Sequence, residues 1–257
     1  MAQEAPESGA AAEQGFLSHL IELRSRLVRA AASVLVVFLA LWPFMRPIFD
    51  ALSRPMISAL PQGSKLLATG VITPFLVPLK VTLFAAFVIA SPFVLYQAWA
   101  FIAPGLYQHE KRLALPVVVS SVAMFLAGMA YCYFVVFGVV FRFISGFAPE
   151  NVNVAPDIEQ YFDFVMRMFL AFGLAFEVPI VVMLLVRFGM VSVAKLRHVR
   201  PYMIVGAFVI AAIVTPPDVL SQMLLAVPLW LLFELGVLLA TVAGGPRGRD
   251  AEAAAGR

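Results

Sequence analysis

Long segments without a charged side chain constrain this chain more than any other feature. About 20 mainly apolar residues are enough to cross a bilayer core of about 30 Å as a helix. Four segments contain no Asp, Glu, Lys or Arg, and two more are apolar apart from one or two charges. We therefore expect an all-α integral membrane protein with six transmembrane helices. The expected spans are roughly 28–47, 78–102, 116–143, 162–186, 201–215 and 219–240.

The overall composition agrees with a chain that folds in lipid. Hydrophobic residues make up 62% of the sequence and charged residues 13%, against about 45–50% and about 25% in ordinary soluble domains. The first fifteen residues are acidic and lack the basic and apolar regions of a cleavable signal peptide. We expect disordered cytoplasmic tails at 1–15 and 244–257, flanking a transmembrane domain at 16–243.

Lysine and arginine are distributed unevenly between the two sides that six spans define. An even number of spans places both termini on one side, and cytoplasmic segments of membrane proteins are enriched in Lys and Arg. If the termini are cytoplasmic, 12 of the 18 basic residues lie in inner segments. These are Arg24, Arg26, Arg29, Lys111, Arg112, Arg187, Lys195, Arg197, Arg200, Arg247, Arg249 and Arg257. The sequence thus predicts cytoplasmic N- and C-termini.

Prolines fall inside or at the ends of several expected spans. They are Pro43, Pro78, Pro92, Pro116 and Pro179. Proline removes a helical hydrogen bond and kinks the helix, and bent helices tend to enclose a concave surface. We expect a concave bundle of kinked helices, although proline is common in membrane helices in any case. Two further prolines form a rigid turn after the fifth span, where Asp218 is placed to cap the sixth helix.

The segment before the first span has the pattern of an amphipathic helix. Between Phe16 and Arg29, apolar residues recur near helical spacing while charged residues lie elsewhere around the helix. We expect this helix to lie on the inner membrane surface and to present Glu22. In the alternative interpretation, Glu22 only forms an ion pair with Arg26, four residues later.

A second carboxylate is expected on the same side. Glu110 lies in the loop between the second and third spans, beyond Pro104 and Gly105. Two carboxylates on a face rich in basic residues are suited to accept guanidinium groups, which bind carboxylates through two hydrogen bonds. Alternatively, Glu110 pairs with its basic neighbours, an exposed interaction of little energetic weight.

One acidic residue lies in the middle of a span. Glu177 belongs to the fourth span, where an ionisable group is costly unless it has a partner or contacts water. One hypothesis assigns it a function, and the alternative makes it a neutral carboxyl hydrogen-bonded inside the bundle. A proton-coupled small-molecule transporter that uses Glu177 as its proton relay is the second candidate for the whole protein.

The sequence gives no indication of enzymatic chemistry. Cys132 is the only cysteine, the three histidines show no convergent ligand pattern, and no phosphate-binding glycine-rich motif is present. We expect no metal, no cofactor, no nucleic-acid partner and no catalytic site.

Several motifs together resemble the TatC family, the multispanning core of the twin-arginine protein translocase. They cover most of the chain in the expected order. The motifs are HLIELRSRL at 19–27, PF at 74–75, SPFVLYQAWAFIAPGLYQHEKR at 91–112, FEVP at 176–179, RPY at 200–202 and TPPDVLSQ at 215–222.

This resemblance implies a function and a set of site residues. In the family, two glutamates on the cytoplasmic face bind the paired arginines of a signal peptide, and the matching residues here are Glu22 and Glu110. Arg24 and Phe101 are implied in the same binding, Pro55 and Asp218 in a loop of structural or functional importance, and Glu177 in an intramembrane polar site. Thr215 and Gln222 match a polar cluster at which single-span partner subunits of the TatA and TatB type dock.

The resemblance further implies a bacterial inner-membrane protein that assembles with other copies of itself. With its partner subunits it would export folded proteins, using the proton-motive force. Two positions depart from some relatives: Gln108 replaces a basic residue and Ala212 replaces a bulkier methionine.

Overall fold

The computed structural model describes residues 7–58, 66–102, 114–146, 155–215 and 218–243. Nearly all of these residues are helical, and one isolated bridge joins Leu67 to Asp157. The helices are α1 (Glu7–Leu41), α2 (Met45–Ile57), α3 (Thr73–Ile102), α4 (Ala114–Tyr131), α5 (Phe137–Gly146), α6 (Ile158–Arg187), α7 (Val193–Val214) and α8 (Val219–Ala243). A 3₁₀ turn at Trp42–Phe44 joins α1 to α2, and a π-helical turn at Cys132–Val136 joins α4 to α5.

Six helical segments are long and apolar enough to cross a membrane. They correspond to α1 with α2, to α3, to α4 with α5, and to α6, α7 and α8. The predicted all-α fold with six spans is therefore confirmed. Both ends of the described chain lie on one side of the bundle, which we call the N-terminal face. The opposite side, which carries α2 and residues 66–72, is called the distal face.

The first helix differs from the expectation in two respects. It begins at Glu7, within the segment expected to be a disordered tail, because Ala10–Glu13 are strong helix formers. It also continues without interruption to Leu41, so the expected amphipathic helix on the membrane surface is instead the first part of α1. At about 1.5 Å per residue, 35 residues span roughly 52 Å, which exceeds the bilayer core.

The fifth span is longer than its uncharged segment indicates. Helix α7 starts at Val193, where Ser192 Oγ accepts a hydrogen bond from the Lys195 N–H as an N-cap. Pro201 lies inside this helix. The lysine and arginine residues before Pro201 end the uncharged segment, but they favour helix, so α7 continues through them.

The spans pack in the order α1, α3, α4, α6, α8, α7, with α1 mainly against α3 and α7 mainly against α8. This open order is compatible with the predicted concave bundle. The core lies between α3, α4, α5, α6 and α8. Its largest fully buried side chains are phenylalanines, namely Phe125, Phe137, Phe162, Phe172 and Phe233.

On the distal face, the segment after residue 65 is bound to the start of α6. The Leu67 N–H donates to the Pro156 carbonyl at 2.9 Å, and the Ile158 N–H donates to the Leu67 carbonyl at 2.8 Å. Thr69 Oγ1 donates to Asp157 Oδ2 at 2.6 Å. Asp157 Oδ1 also accepts the Glu159 and Gln160 N–H groups as the N-cap of α6. These bonds to its charged form, the Thr69 bond foremost, hold the pKa of Asp157 below its ordinary value.

This low pKa predicts a pH-dependent contribution to stability. Because the folded pKa is depressed, the contribution is present above the ordinary value of 3.8 and is lost as the pH falls through the folded pKa. Asp157→Asn should therefore lower the Tm at pH 7, and the difference from the wild type should shrink in acid. The Tm of the detergent-solubilised protein measures this. Asp50→Asn on α2 is the control. If Asp157→Asn lowers the Tm by the same amount at pH 7 and in acid, the prediction is contradicted.

Glycine allows two helices to approach closely where α4 crosses α6. A Cβ on Gly128 would overlap the backbone carbonyl of Phe172, and small residues at such crossings are typical of membrane bundles. Gly128→Ala should therefore lower the free energy of unfolding by about 1–3 kcal/mol. Gly206→Ala in α7 is the matched control, because a Cβ there meets nothing within 4 Å. Chemical denaturation in detergent compares them, and equal stability of the two variants would contradict this account of the crossing.

Candidate functional site

The carboxylate of Glu22 lies on the N-terminal face and is bound by a guanidinium group. Arg26 donates from Nε and Nη2 to Glu22 Oε1 at 2.9 and 2.6 Å. The side chain of Glu22 keeps 36% of its surface exposed, and that of Arg26 keeps 21%. The alternative interpretation of Glu22, an ion pair with Arg26, is thus correct as a contact, but the pair is open to solvent on one side.

Helix α3 holds this ion pair in place. Arg26 Nη1 lies 3.5 Å from Oε1 of Gln97, a side chain that is buried in α3. Close by, the ring of His19 stacks on Phe101 with centroids 4.3 Å apart. These contacts fix the register of α1 against the last turns of α3, so Glu22 and Phe101 are presented at the same end of the bundle. Arg24 is exposed on this part of α1.

Glu110, the other predicted signal-peptide ligand, lies outside the described residues, as does Gln108. The described chain places the helices on either side of it: α3 ends at Ile102 and α4 begins at Ala114, both on the N-terminal face. Glu22 and Glu110 are therefore predicted to lie on the same face. That they form one binding site together stays a prediction.

The carboxylate of Glu22 has the chemistry to bind guanidinium groups. Arg26 already shows that the carboxylate accepts two N–H donors from one guanidinium. Charge-assisted hydrogen bonds of this type are about twice as strong as neutral ones. The planar fork of an arginine side chain fits this geometry better than the ammonium group of lysine does.

Glu177 belongs to a separate, buried cluster that links three helices. Only 8% of this residue is exposed in α6, and its Oε2 accepts a hydrogen bond from Ser121 Oγ of α4 at 2.5 Å. Trp99 Nε1 of α3 donates to the same serine oxygen at 2.9 Å. The other carboxyl oxygen, Oε1, is buried and has no hydrogen-bond partner among the described residues. The geometry matches the alternative of a hydrogen-bonded group inside the bundle, while the function of Glu177 stays a prediction.

The predicted partner-docking residues lie on the distal face, around the turn between α7 and α8. Thr215 Oγ1 donates to the Ala211 carbonyl at 2.8 Å, and Gln222 Nε2 donates to the Phe208 carbonyl at 3.2 Å. Asp218 Oδ1 accepts the Ser221 N–H at 2.6 Å, so this residue caps the start of α8 as expected. Pro216 and Pro217 are outside the described residues.

Pro55 does not lie in a loop. It is inside α2, a helix that was not predicted because proline usually interrupts a helix. Ile48, Phe49, Leu52 and Met56 of this helix pack on the main core, so α2 covers the distal end of the bundle.

The hydrogen-bond partners of the predicted residues were not predicted from the sequence. These partners are Gln97, Trp99 and Ser121, which lie within uncharged spans. Polar side chains are rare in such spans, so their presence there could have indicated a contact with another helix. A further missed pair is Arg200 with Glu234, at 2.7 Å, which joins the N-terminal-face ends of α7 and α8.

The sequence and fold match known proteins over most of their length. A family model described as Sec-independent protein translocase protein (TatC) matches residues 18–228. A relative from Azotobacter chroococcum, named Sec-independent protein translocase protein TatC, is 55% identical over 86% of this chain and 87% of its own length. The protein of the same name from Escherichia coli K12 is 48% identical over 93% and 92%.

A solved structure shares the arrangement of helices. It is described as the crystal structure of the twin-arginine translocase receptor TatC, and it matches with a TM-score of 0.78 and 36% identity. The match covers 88% of this chain and 99% of that chain. None of these matches supports a small-molecule transporter.

The buried cluster predicts that Ser121 stabilises the bundle through Glu177. Ser121→Ala removes the donor to Oε2 and leaves a buried carboxyl group without a partner, which costs about 1–3 kcal/mol. Ser120→Ala is the matched control, because Ser120 Oγ only donates to the Val117 carbonyl of its own helix. The free energy of unfolding in detergent compares the two variants. A loss for Ser121→Ala no greater than for Ser120→Ala would contradict the prediction.

Proposed function

The chain belongs to the TatC family and is a subunit of the Sec-independent protein translocase, and from this premise we propose that its N-terminal face binds twin-arginine signal peptides. With single-span partner subunits, it then exports folded proteins across the bacterial inner membrane, using the proton-motive force. The observation that carries the proposal is the exposed side of Glu22, whose carboxylate already accepts two hydrogen bonds from an arginine.

A single carboxylate explains one arginine of a pair, and Glu110 is the proposed ligand of the other. The segment that contains it starts after Ile102 and ends before Ala114, so both of its ends are on the N-terminal face. Phe101, in the last turn of α3 before that segment, stacks on His19, three residues before Glu22. These connections support a site that α1 and the loop after α3 form together, with Arg24 and Phe101 at its edge.

We assign the N-terminal face to the cytoplasm. The excess of Lys and Arg in the segments on this side supports the assignment. Among the described residues, this face carries Arg24, Arg26, Arg187, Lys195 and Arg197. A signal peptide arriving from the cytoplasm therefore meets Glu22 among basic side chains, which disfavour lysine-rich or arginine-rich segments that do not contact the carboxylates.

Helix α7 is the proposed docking site for a single-span partner. It packs mainly on α8, and much of its apolar surface faces outward: Ile204, Val205, Val209, Ile210 and Ile213 are all exposed. At the distal end of this surface, Gln222 is half-buried, and Thr215 is buried with its hydroxyl group bound to the Ala211 carbonyl. In the bilayer an apolar partner helix gains little by leaving lipid, so polar groups of this kind add specificity to helix association.

We place Glu177 in a step after recognition. Glu177 is buried between α3, α4 and α6 and makes its hydrogen bond inside the bundle. A signal peptide that first binds at the surface does not reach it. Its loss should therefore affect export more than binding of the signal peptide.

Glu22→Gln tests the proposed site directly. The change keeps the shape of the side chain and removes its charge, so binding of a twin-arginine leader should weaken by about tenfold or more, since a charge-assisted hydrogen bond contributes about 1.5–3 kcal/mol. Site-specific crosslinking and equilibrium binding of a labelled leader peptide to the purified protein in nanodiscs measure the effect.

Glu159→Gln is the matched control for this test. Its carboxylate lies on the distal face and is bound to Lys80 at 2.8 Å, so leader binding should not change. A leader that binds Glu22→Gln as tightly as the wild type would refute the role of Glu22. A loss caused equally by both substitutions would show that the effect is not specific to the N-terminal face.

A further inference from the structure

Helix α2 contains a proline whose missing N–H leaves a carbonyl group without its helical partner. In an α-helix, the N–H of each residue donates to the carbonyl four residues earlier. Pro55 has no N–H, so the carbonyl of Ala51 cannot receive a helical bond from residue 55. This carbonyl lies in a half-buried part of the distal face, where an unpaired acceptor is costly.

A tyrosine from another helical segment supplies the missing donor. Tyr133 Oη lies 2.9 Å from the Ala51 carbonyl oxygen and donates to it. The ring of Tyr133 is parallel to that of Phe169 in α6, with an interplanar angle of 9°. The hydroxyl group is therefore directed at α2 by a ring that is packed in place.

The local backbone around Tyr133 is also unusual. It belongs to the π-helical turn Cys132–Val136, in which the Phe137 N–H donates to the Cys132 carbonyl, five residues earlier. A π turn inserts an extra residue into a helix and changes the direction of the side chains that follow it. Two interruptions of regular helix, the proline in α2 and the π turn between α4 and α5, thus meet at one hydrogen bond.

We propose that Tyr133 is a positioning residue that holds α2 over the distal end of the bundle by replacing the hydrogen bond that Pro55 removes. This gives Pro55 a physical role: it frees the acceptor that fixes α2 to the rest of the protein. The resemblance implied a functional role for Pro55 without a reason for it. The proposal concerns the distal face and does not depend on signal-peptide binding.

Tyr161 offers an internal comparison for the same helix. Its hydroxyl group donates to the carbonyl of Leu52 at 2.8 Å. Four residues after Leu52 is Met56, which has an N–H of its own. The bond from Tyr161 therefore does not compensate for a proline, although it also joins α2 to the bundle.

The two tyrosines predict different coupling to residue 55. In the wild type, Tyr133→Phe leaves the Ala51 carbonyl without a donor and should increase hydrogen exchange of the α2 amides by about tenfold. In the Pro55→Ala background, the N–H of residue 55 can donate to Ala51, so Tyr133→Phe should change exchange by less than about threefold. Tyr161→Phe should have the same effect in both backgrounds.

The experiment is a double-mutant cycle on the full chain in nanodiscs, with exchange of the peptide covering α2 followed by mass spectrometry. A further variant carries p-aminophenylalanine at position 133 with Pro55 retained. Its amino group is a donor at the same ring position, so it should restore the slow exchange that Tyr133→Phe loses. This arm does not require any variant of Pro55 to fold.

Three results would overturn the proposal. They are unchanged exchange in Tyr133→Phe, an equal effect of Tyr133→Phe with and without Pro55→Ala, and failure of p-aminophenylalanine to restore protection. A merely structural role of the ring would give the second and third results, because it would depend on packing against Phe169 and not on a donor.

Discussion

Lipid offers no hydrogen-bond partner, and the structure depends on that constraint. In the hydrocarbon core every backbone N–H and C=O must be satisfied within the protein, which favours continuous helices. Polar side chains in the spans must likewise find partners on neighbouring helices. Three examples among the described residues are Arg26 with Gln97 between α1 and α3, Ser121 with Glu177 between α4 and α6, and Tyr133 with the Ala51 carbonyl between the π turn and α2.

The two faces of the bundle use these contacts differently. On the distal face, the bridge at Leu67, the cap at Asp157 and the bonds to α2 close the ends of the helices against one another. On the N-terminal face, the ion pair of Glu22 and Arg26 stays partly exposed. The distal contacts hold the ends of the helices together, and the exposed part of the Glu22 carboxylate suits a receptor that receives its ligand at the N-terminal face.

Much of the fold could be predicted because the thickness of the bilayer sets the length of the uncharged segments that cross it. Six spans and the all-α class follow from the uncharged segments. The ends of the helices do not, since Glu7 and Val193 begin helices inside charged segments, where lysine, arginine, glutamate and alanine all favour helix. The spacing of Glu22 and Arg26 predicted an ion pair as the alternative to a receptor role, and the pair is present. The partners Gln97, Trp99 and Ser121 could not be assigned, because a single sequence does not show which helices are neighbours.

The helix α2 was missed because proline usually interrupts a helix, and only the tertiary contact with Tyr133 shows why Pro55 is tolerated there.

The most direct measurement of the central claim is a structure of the protein in nanodiscs with a twin-arginine leader peptide bound. The account predicts a guanidinium group of the leader within about 2.7–2.9 Å of a Glu22 carboxylate oxygen, on the face where α1 meets the end of α3. A leader whose arginines contact the distal face, or bind while Glu22 contacts Arg26 alone, would contradict it.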